Sequence, residues 1–287
     1  MDSTSPLPTE QRPRTGLQSF FKDARHFQIF YLGGFLIFGL LALDWQVNLA
    51  GYLVLLGTGL GVQAIGIKLT GKSWNSLKSA LITCLGLCLL LKANSLWTLS
   101  FTAAVAIGSK FLIRSKGKHI FNPANFGIIL AILLTGDAWV SPGQWGNHII
   151  LLFMMGAAGL IVLLKVGRLD TSLSFLLSFG ALLFCEQILY KGWPLDHFFH
   201  TLTSGTLLLF TFFMITDPVT TPNAPKARII WGIAVGTLTY ILTLWFYVFD
   251  APIWALIIIS PLTVWLDRHF PYQRFQWLTS SPKLQHT

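Results

Sequence analysis

Two short stretches hold the polar residues best placed to do chemistry in an otherwise apolar chain. The first, Arg114 to Asn125, reads RSKGKHIFNPAN. Lys116, Lys118 and His119 can bind an anion such as a phosphate or a flavin dianion. Asn122, with Pro123 at a first helical position, can cap the next helix and aim its N–H groups at that anion. The same residues also read as a capped helix beside a basic loop. A cap needs only one asparagine, yet Asn125 stands close by. The second stretch, Thr201 to Arg228, reads TLTSGTLLLFTFFMITDPVTTPNAPKAR. Asp217 can hydrogen-bond a flavin, through a ring N–H, or a quinone, hold a proton or cation, or act as an N-cap or as the partner of Arg228. Thr216, Thr220, Thr221 and Asn223 flank it, and Thr201, Thr203, Ser204 and Thr206 are expected to line the same cavity. Hydroxyls on apolar helices often bond back to the preceding turn instead.

Such residues need elements that bring them together. An Asp-Pro at the end of an apolar run stops a helix, because proline lacks the N–H donor and restricts the residue before it. At membrane depth the freed backbone groups are tolerated only where protein or a cavity satisfies them, and an acid there is a candidate site. A repeat places a similar break twice. Sliding the chain by 96 residues lays Gly71 on Gly167, Lys72 on Arg168, Ser76 on Ser172, Leu77 on Leu173 and Leu81 on Leu177. At an offset of 95, Asn122-Pro123 falls on Asp217-Pro218. Duplicated interrupted segments point to a site where the halves meet.

Composition sets the environment. Of 287 residues, 53% are hydrophobic and 11% charged, which excludes an ordinary soluble domain and makes the lipid bilayer the first partner. The net charge of +9 comes from short basic clusters between apolar runs, with no basic face for nucleic acid. Ten apolar runs are marked: 27–43, 47–69, 76–91, 96–113, 124–134, 148–164, 173–189, 198–215, 229–249 and 253–266. Most approach the roughly 20 residues that a bilayer core requires; the fifth and tenth are short. With ten spans and a cytoplasmic N-terminus, 18 Lys and Arg fall on the inner side and only Lys92 and Lys191 outside, as the positive-inside rule demands. Acids and tryptophans populate the outer loops: Asp44, Trp45, Asp137, Trp139, Trp145, Trp193, Asp196, Asp250 and Trp254. The expected fold is an all-α polytopic membrane protein of about ten transmembrane helices in two repeated halves, about 47–136 and 147–249. The transmembrane domain covers 27–267. Residues 1–26 read as a disordered tail and 268–287 as a second tail, both cytoplasmic at the cell membrane.

Other candidates are weaker. Cys84 and Cys88 share a helix face but read as small apolar core residues, and three cysteines give no disulfide framework. His148, His197 and His200 near the outer face can form a proton relay with Asp137 or Asp196, or simply sit at the interface. Glu186 lies near the outer end of the seventh run. No nucleophile–base triad, P-loop or dinucleotide fingerprint is present, so hydrolase and kinase readings drop out.

Ser204-Gly205-Thr206, an apolar run, Thr216-Asp217-Pro218-Val219, then Pro222 and Arg228 resemble the second-half signature of the RnfD/NqrB family. That family comprises the D component of the Rnf electron-transport complex and the B component of the sodium-pumping NADH:quinone reductase. Phe121-Asn122-Pro123-Ala124 resembles the first-half signature, and the likeness runs from about Lys68 to Arg268. The UnbU-type membrane proteins are similar as well. The resemblance implies a ten-helix fold related to urea transporters and a flavin-carrying, electron-transfer subunit working with other redox-complex subunits, itself without a catalytic centre. Family members with covalent FMN attach it through a threonine in an outward loop between the fifth and sixth spans. The corresponding stretch here, Gly136 to His148, has no threonine, so noncovalent riboflavin or FMN is expected and covalent FMN is not. The expected cofactor-binding residues are His119, Asn122, Pro123, Asn125, Thr203, Ser204, Thr216, Asp217, Thr220 and Arg228. Two alternatives stand beside this reading: a channel or transporter for a small solute or flavin without redox chemistry, and an assembly subunit.

Overall fold

A computed structural model describes residues 23–43, 45, 49–141 and 149–277. The expectations for residues 1–22, Asp44, Trp145, His148 and 278–287 lie outside the described residues.

The described chain is almost wholly helical. It begins with α1 (Ala24–Ala42), which starts three residues ahead of its apolar run because Asp23 caps it, accepting from the Arg25 N–H at 3.1 Å. There follow α2 (Leu49–Thr70), a 3₁₀ turn (Trp74–Ser76), α3 (Leu77–Leu90), strand β1 (Leu91–Ala93) and α4 (Leu96–Leu112). A tight hairpin, β2 (Arg114–Ser115) and β3 (Lys118–His119), leads into α5 (Pro123–Thr135), and β4 (Ala138–Val140) returns to pair antiparallel with β1. The second part runs α6 (Ile149–Val166), α7 (Leu169–Phe184) continued by a π-helix (Cys185–Tyr190), and α8 (Leu195–Leu202). The short α9 (Gly205–Leu209) is likewise continued by a π-helix (Phe210–Met214), and α10 (Pro225–Leu244), α11 (Ala251–Ile259) and α12 (Leu262–His269) complete it.

All ten apolar runs fall on helices, but the ten-span expectation is met only in part. Among the described residues, four helices are long and apolar enough to cross a membrane: Ala24–Ala42, Leu49–Thr70, Leu169–Tyr190 and Pro225–Leu244. The pair α11 and α12, bent by 48°, makes a fifth if it is one span. Pro261 sits at that bend, where its ring removes a helical hydrogen bond. Shorter apolar helical segments of 10–17 residues are Trp74–Leu90, Leu96–Leu112, Pro123–Thr135, Phe153–Val166 and Gly205–Met214. Together they define a polytopic helical membrane protein, in which each segment satisfies its own backbone.

Small residues set how closely these helices approach. Gly232 and Gly236 form a GxxxG step on α10, and a Cβ at either would meet α7 backbone, 3.0 Å from the Thr171 carbonyl and 2.8 Å from that of Phe175. Gly127 does the same for α5 against α4, with a Cβ falling 2.9 Å from the Thr102 carbonyl. The aligned glycines Gly71 and Gly167 play one role: each follows a helix in the left-handed region, φ 66° and 67°, and donates back to a carbonyl four residues earlier.

Candidate functional site

The hairpin before α5 turns on Lys116 (φ 48°) and Gly117 (φ 79°), pairing Arg114 with His119 and Ser115 with Lys118. Both turn residues take positive φ, as a type I′ hairpin turn requires. The geometry delivers His119 and then Asn122 to the start of α5. Asn122 caps that helix, its Oδ1 accepting from the Asn125 N–H at 3.2 Å, with Pro123 in the first turn. Its Nδ2 donates across the molecule to the Met214 carbonyl at 3.2 Å. Met214 ends the π-helix that follows α9, and its carbonyl also accepts from the Asp217 N–H at 3.4 Å.

Asp217 does not cap a helix, contrary to one sequence expectation. Its Oδ1 accepts from the Val219 N–H at 3.0 Å and its carbonyl from the Thr220 and Thr221 N–H groups, each at 3.1 Å, closing a turn. The next helix, α10, starts only at Pro225. Three cations hold the connecting loop. Arg168 Nε donates to Thr221 Oγ1 at 3.1 Å; Lys118 donates to the Thr221 carbonyl and pairs with Asp267 at 2.8 Å. Arg228 donates to the Asn223 carbonyl at 2.7 Å.

The two breaks share one cavity of about 70 Å³, lined by His119, Asn122, Pro123, Met214 and Asp217. The sequence reading passes over several other wall residues. Lys110 is a buried residue of α4 whose Nζ donates to the Ser79 carbonyl at 3.0 Å; in the sequence it counts only as part of a basic loop. Gln28 and Thr83 join it, and so does Trp277, brought in by the C-terminal segment. That segment reads as a tail in the sequence, but Phe275 lies 5.3 Å from the Arg168 guanidinium and Trp277 5.4 Å from that of Arg25. Nothing but tertiary packing could have revealed it. The site is also poor in hydrogen-bond partners for two of the expected residues. Asn125 is fully buried outside the wall of this cavity, and neither of its side-chain polar atoms has a protein partner; in the wall itself, His119 Nδ1 has none either. Burial, then the charges of Lys110, Arg114, Lys72 and Arg274, hold the imidazole neutral, its pKa pushed down to about 3.

Other expected site residues lie elsewhere. Thr203 is exposed and bonds back to the Phe199 carbonyl at 2.7 Å. Thr201, Ser204 and Thr206 line a separate cavity of about 480 Å³ with Trp139, Phe249 and Asp250, not the cavity of the breaks. Thr216 and Thr220 bond back to the Phe212 and Asp217 carbonyls. Arg228 pairs with Asp170 at 2.6 Å, not with Asp217. Thr98, Asn94 and Ser95 donate to the Asp137 carboxylate at 2.7–3.0 Å and hold it below the usual carboxylate range. Cys84 and Cys88 are fully buried, and no cluster of three metal-ligating side chains exists among the described residues.

Fold and site thus define a polytopic helical membrane protein in which two interrupted helices meet around one largely apolar cavity with a few polar groups in its wall. Residues 130–276 match the model of the NQR2, RnfD, RnfE family, and the chain belongs to that family. It is 32% identical over 136 residues to the D component of the ion-translocating oxidoreductase complex of Stutzerimonas stutzeri, covering 47% of this chain and 38% of that one. The corresponding protein of Pseudomonas paraeruginosa is 27% identical over 229 residues, covering 58% and 65%. That of Cellvibrio japonicus is 34% identical over 119 residues, covering 39% and 31%. The chain therefore spans less than two thirds of the length of each of these relatives.

Proposed function

We propose that this protein is a multi-pass subunit of a membrane oxidoreductase complex and holds a noncovalent riboflavin or FMN between its two helix breaks. The relatives are components of ion-translocating oxidoreductase complexes by name, which supports the class. The observation that carries the reading is that Asn122 and Asp217, from distant segments, line one cavity with His119, whose buried Nδ1 has no protein partner. Unpartnered buried polar atoms are costly and rare, so a polar ligand edge is the natural complement. The donor and acceptor set suits a flavin pyrimidine edge: Asp217 accepts, while the neutral His119 imidazole donates or accepts at Nδ1 according to its tautomer. At about 70 Å³ the cavity lies below the ~300–1,000 Å³ of pockets that enclose drug-sized ligands, so the ring enters by displacing part of the wall. Trp277 is the part that gives way, because residues 271–277 carry no helix or strand.

In this reading the flavin supplies the electron chemistry, and the chain positions it and tunes its surroundings. About ten membrane segments in two related halves, both termini on the cytoplasmic side of the cell membrane, and contacts with further redox subunits belong to the same proposal. A second reading, a channel or transporter for a small solute, is favoured by one observation. The inner ends of α5 and of the α9–π-helix segment line the 70 Å³ cavity, through Ala124 and Met214, and their outer ends line the 480 Å³ one, through Ile132 and Leu207. Purified protein separates the two. A yellow preparation whose flavin survives gel filtration and is released on denaturation supports the redox role. A colourless preparation that conducts in liposomes supports the channel.

A further inference from the structure

A second inner cavity, of about 160 Å³, adjoins the chamber of the breaks, and His119 stands in the wall of both. Lys116, Lys118, Arg268 and Arg274 line it against a single carboxylate, Asp267. That carboxylate is already engaged: Oδ2 lies 2.8 Å from Lys118 Nζ, and Oδ1 accepts from the Asn223 N–H at 2.8 Å. Lys116, Arg268 and Arg274 therefore face no further carboxylate of this wall. Arg274 is steadied by the hairpin, donating to the Lys116 carbonyl at 3.3 Å and to that of Gly117 at 2.5 Å. A guanidinium has five N–H donors, so others remain.

Two neutral groups also lack partners in this wall. Thr263 is 2% exposed and its hydroxyl has no hydrogen bond, and the buried His119 Nδ1 has none. Each can donate to an anion without adding charge. Three cations with two neutral donors suit a group presenting several acceptor oxygens, and guanidinium groups match such oxygens in pairs. We propose that this cavity binds a phosphate group, carried by a phospholipid head, by a mononucleotide or as free phosphate. The proposal does not rest on the flavin reading.

The test compares the wild-type full chain with Thr263→Val, Lys116→Gln and Arg268→Gln, all purified in one detergent. Native mass spectrometry reads retained adducts, and thermal unfolding is followed in inorganic phosphate against chloride at matched ionic strength. Wild type should retain a phosphate-bearing adduct or gain stability from phosphate, and each variant should weaken that effect about tenfold. The adduct mass separates a lipid from a mononucleotide, and stabilisation by inorganic phosphate without an adduct marks a soluble source. Arg268 is exposed, so its substitution leaves the fold intact and loss of binding is read on folded protein. A wild type showing neither adduct nor phosphate-specific stabilisation, or variants indistinguishable from it, overturns the assignment. A colourless protein that still responds to phosphate defeats the flavin reading alone.

Discussion

The side chain of Asn122 links two breaks, accepting from its own helix at Asn125 and donating at 3.2 Å to the Met214 carbonyl from the other interrupted segment. Asn122→Ala removes both bonds. Loss of an N-cap costs ~1 kcal/mol, and the lost bond to the Met214 carbonyl, which still accepts from the Asp217 N–H at 3.4 Å, ~0.5–1.5 kcal/mol more. Asn122→Asp keeps the cap acceptor but loses the donor. Thermal unfolding in detergent should therefore rank wild type above both variants; an alanine variant as stable as wild type means that the link contributes nothing.

The Asn122 link also shows what was legible in the sequence. Asx-Pro pairs in an apolar chain mark helix stops by local chemistry alone, and the 95-residue offset suggested that they belong together. What they bond to was not legible: Asp217 closes a turn, Arg228 prefers Asp170, and Thr203 and Ser204 fall outside the cavity of the breaks. Lys110 and Trp277 entered unannounced, because a basic residue at a helix end and an aromatic near a terminus look the same whether they face water or a cavity. The GxxxG step on α10 could have been read, since its spacing puts both glycines on one face.

Helix packing offers an independent check. A methyl group at Gly236 meets the Phe175 carbonyl at 2.8 Å and the Phe179 N at 3.1 Å, backbone atoms that cannot step aside. Gly236→Ala should lower stability by ~1–3 kcal/mol and Gly236→Leu should prevent accumulation of folded protein. Ala at Gly86, where nothing lies within 4 Å, serves as the control. Equal thermal midpoints for the two alanine variants would contradict the close approach of α10 and α7.

Acid should weaken the protein through His119. The folded chain holds this imidazole neutral down to about 3, while the unfolded chain binds a proton near 6.5. Between those values the unfolded state carries the extra proton, so stability falls as pH drops below about 6.5, by at most ~1.4 kcal/mol per unit. A pH series of unfolding midpoints from 7 to 5 should show a shallower decline in His119→Asn than in wild type. Identical slopes would mean that the imidazole titrates normally.

Arg228 and Asp170 form a pair away from the cavity of the breaks, with side chains 9% and 23% exposed. Asp170→Asn leaves a buried guanidinium without its counter-charge and should cost ~1–3 kcal/mol, less than a wholly buried pair because Asp170 reaches solvent. Flavin bound per folded protein should be unchanged in this variant. A loss of flavin at unaltered stability would return Arg228 to the binding site.

The most direct measurement is flavin stoichiometry in Asp217→Asn and Asn122→Ala, scored on folded, membrane-inserted protein against wild type. One chamber built by both breaks predicts that each substitution lowers bound flavin while insertion is unaffected. Full flavin content in both variants would contradict it.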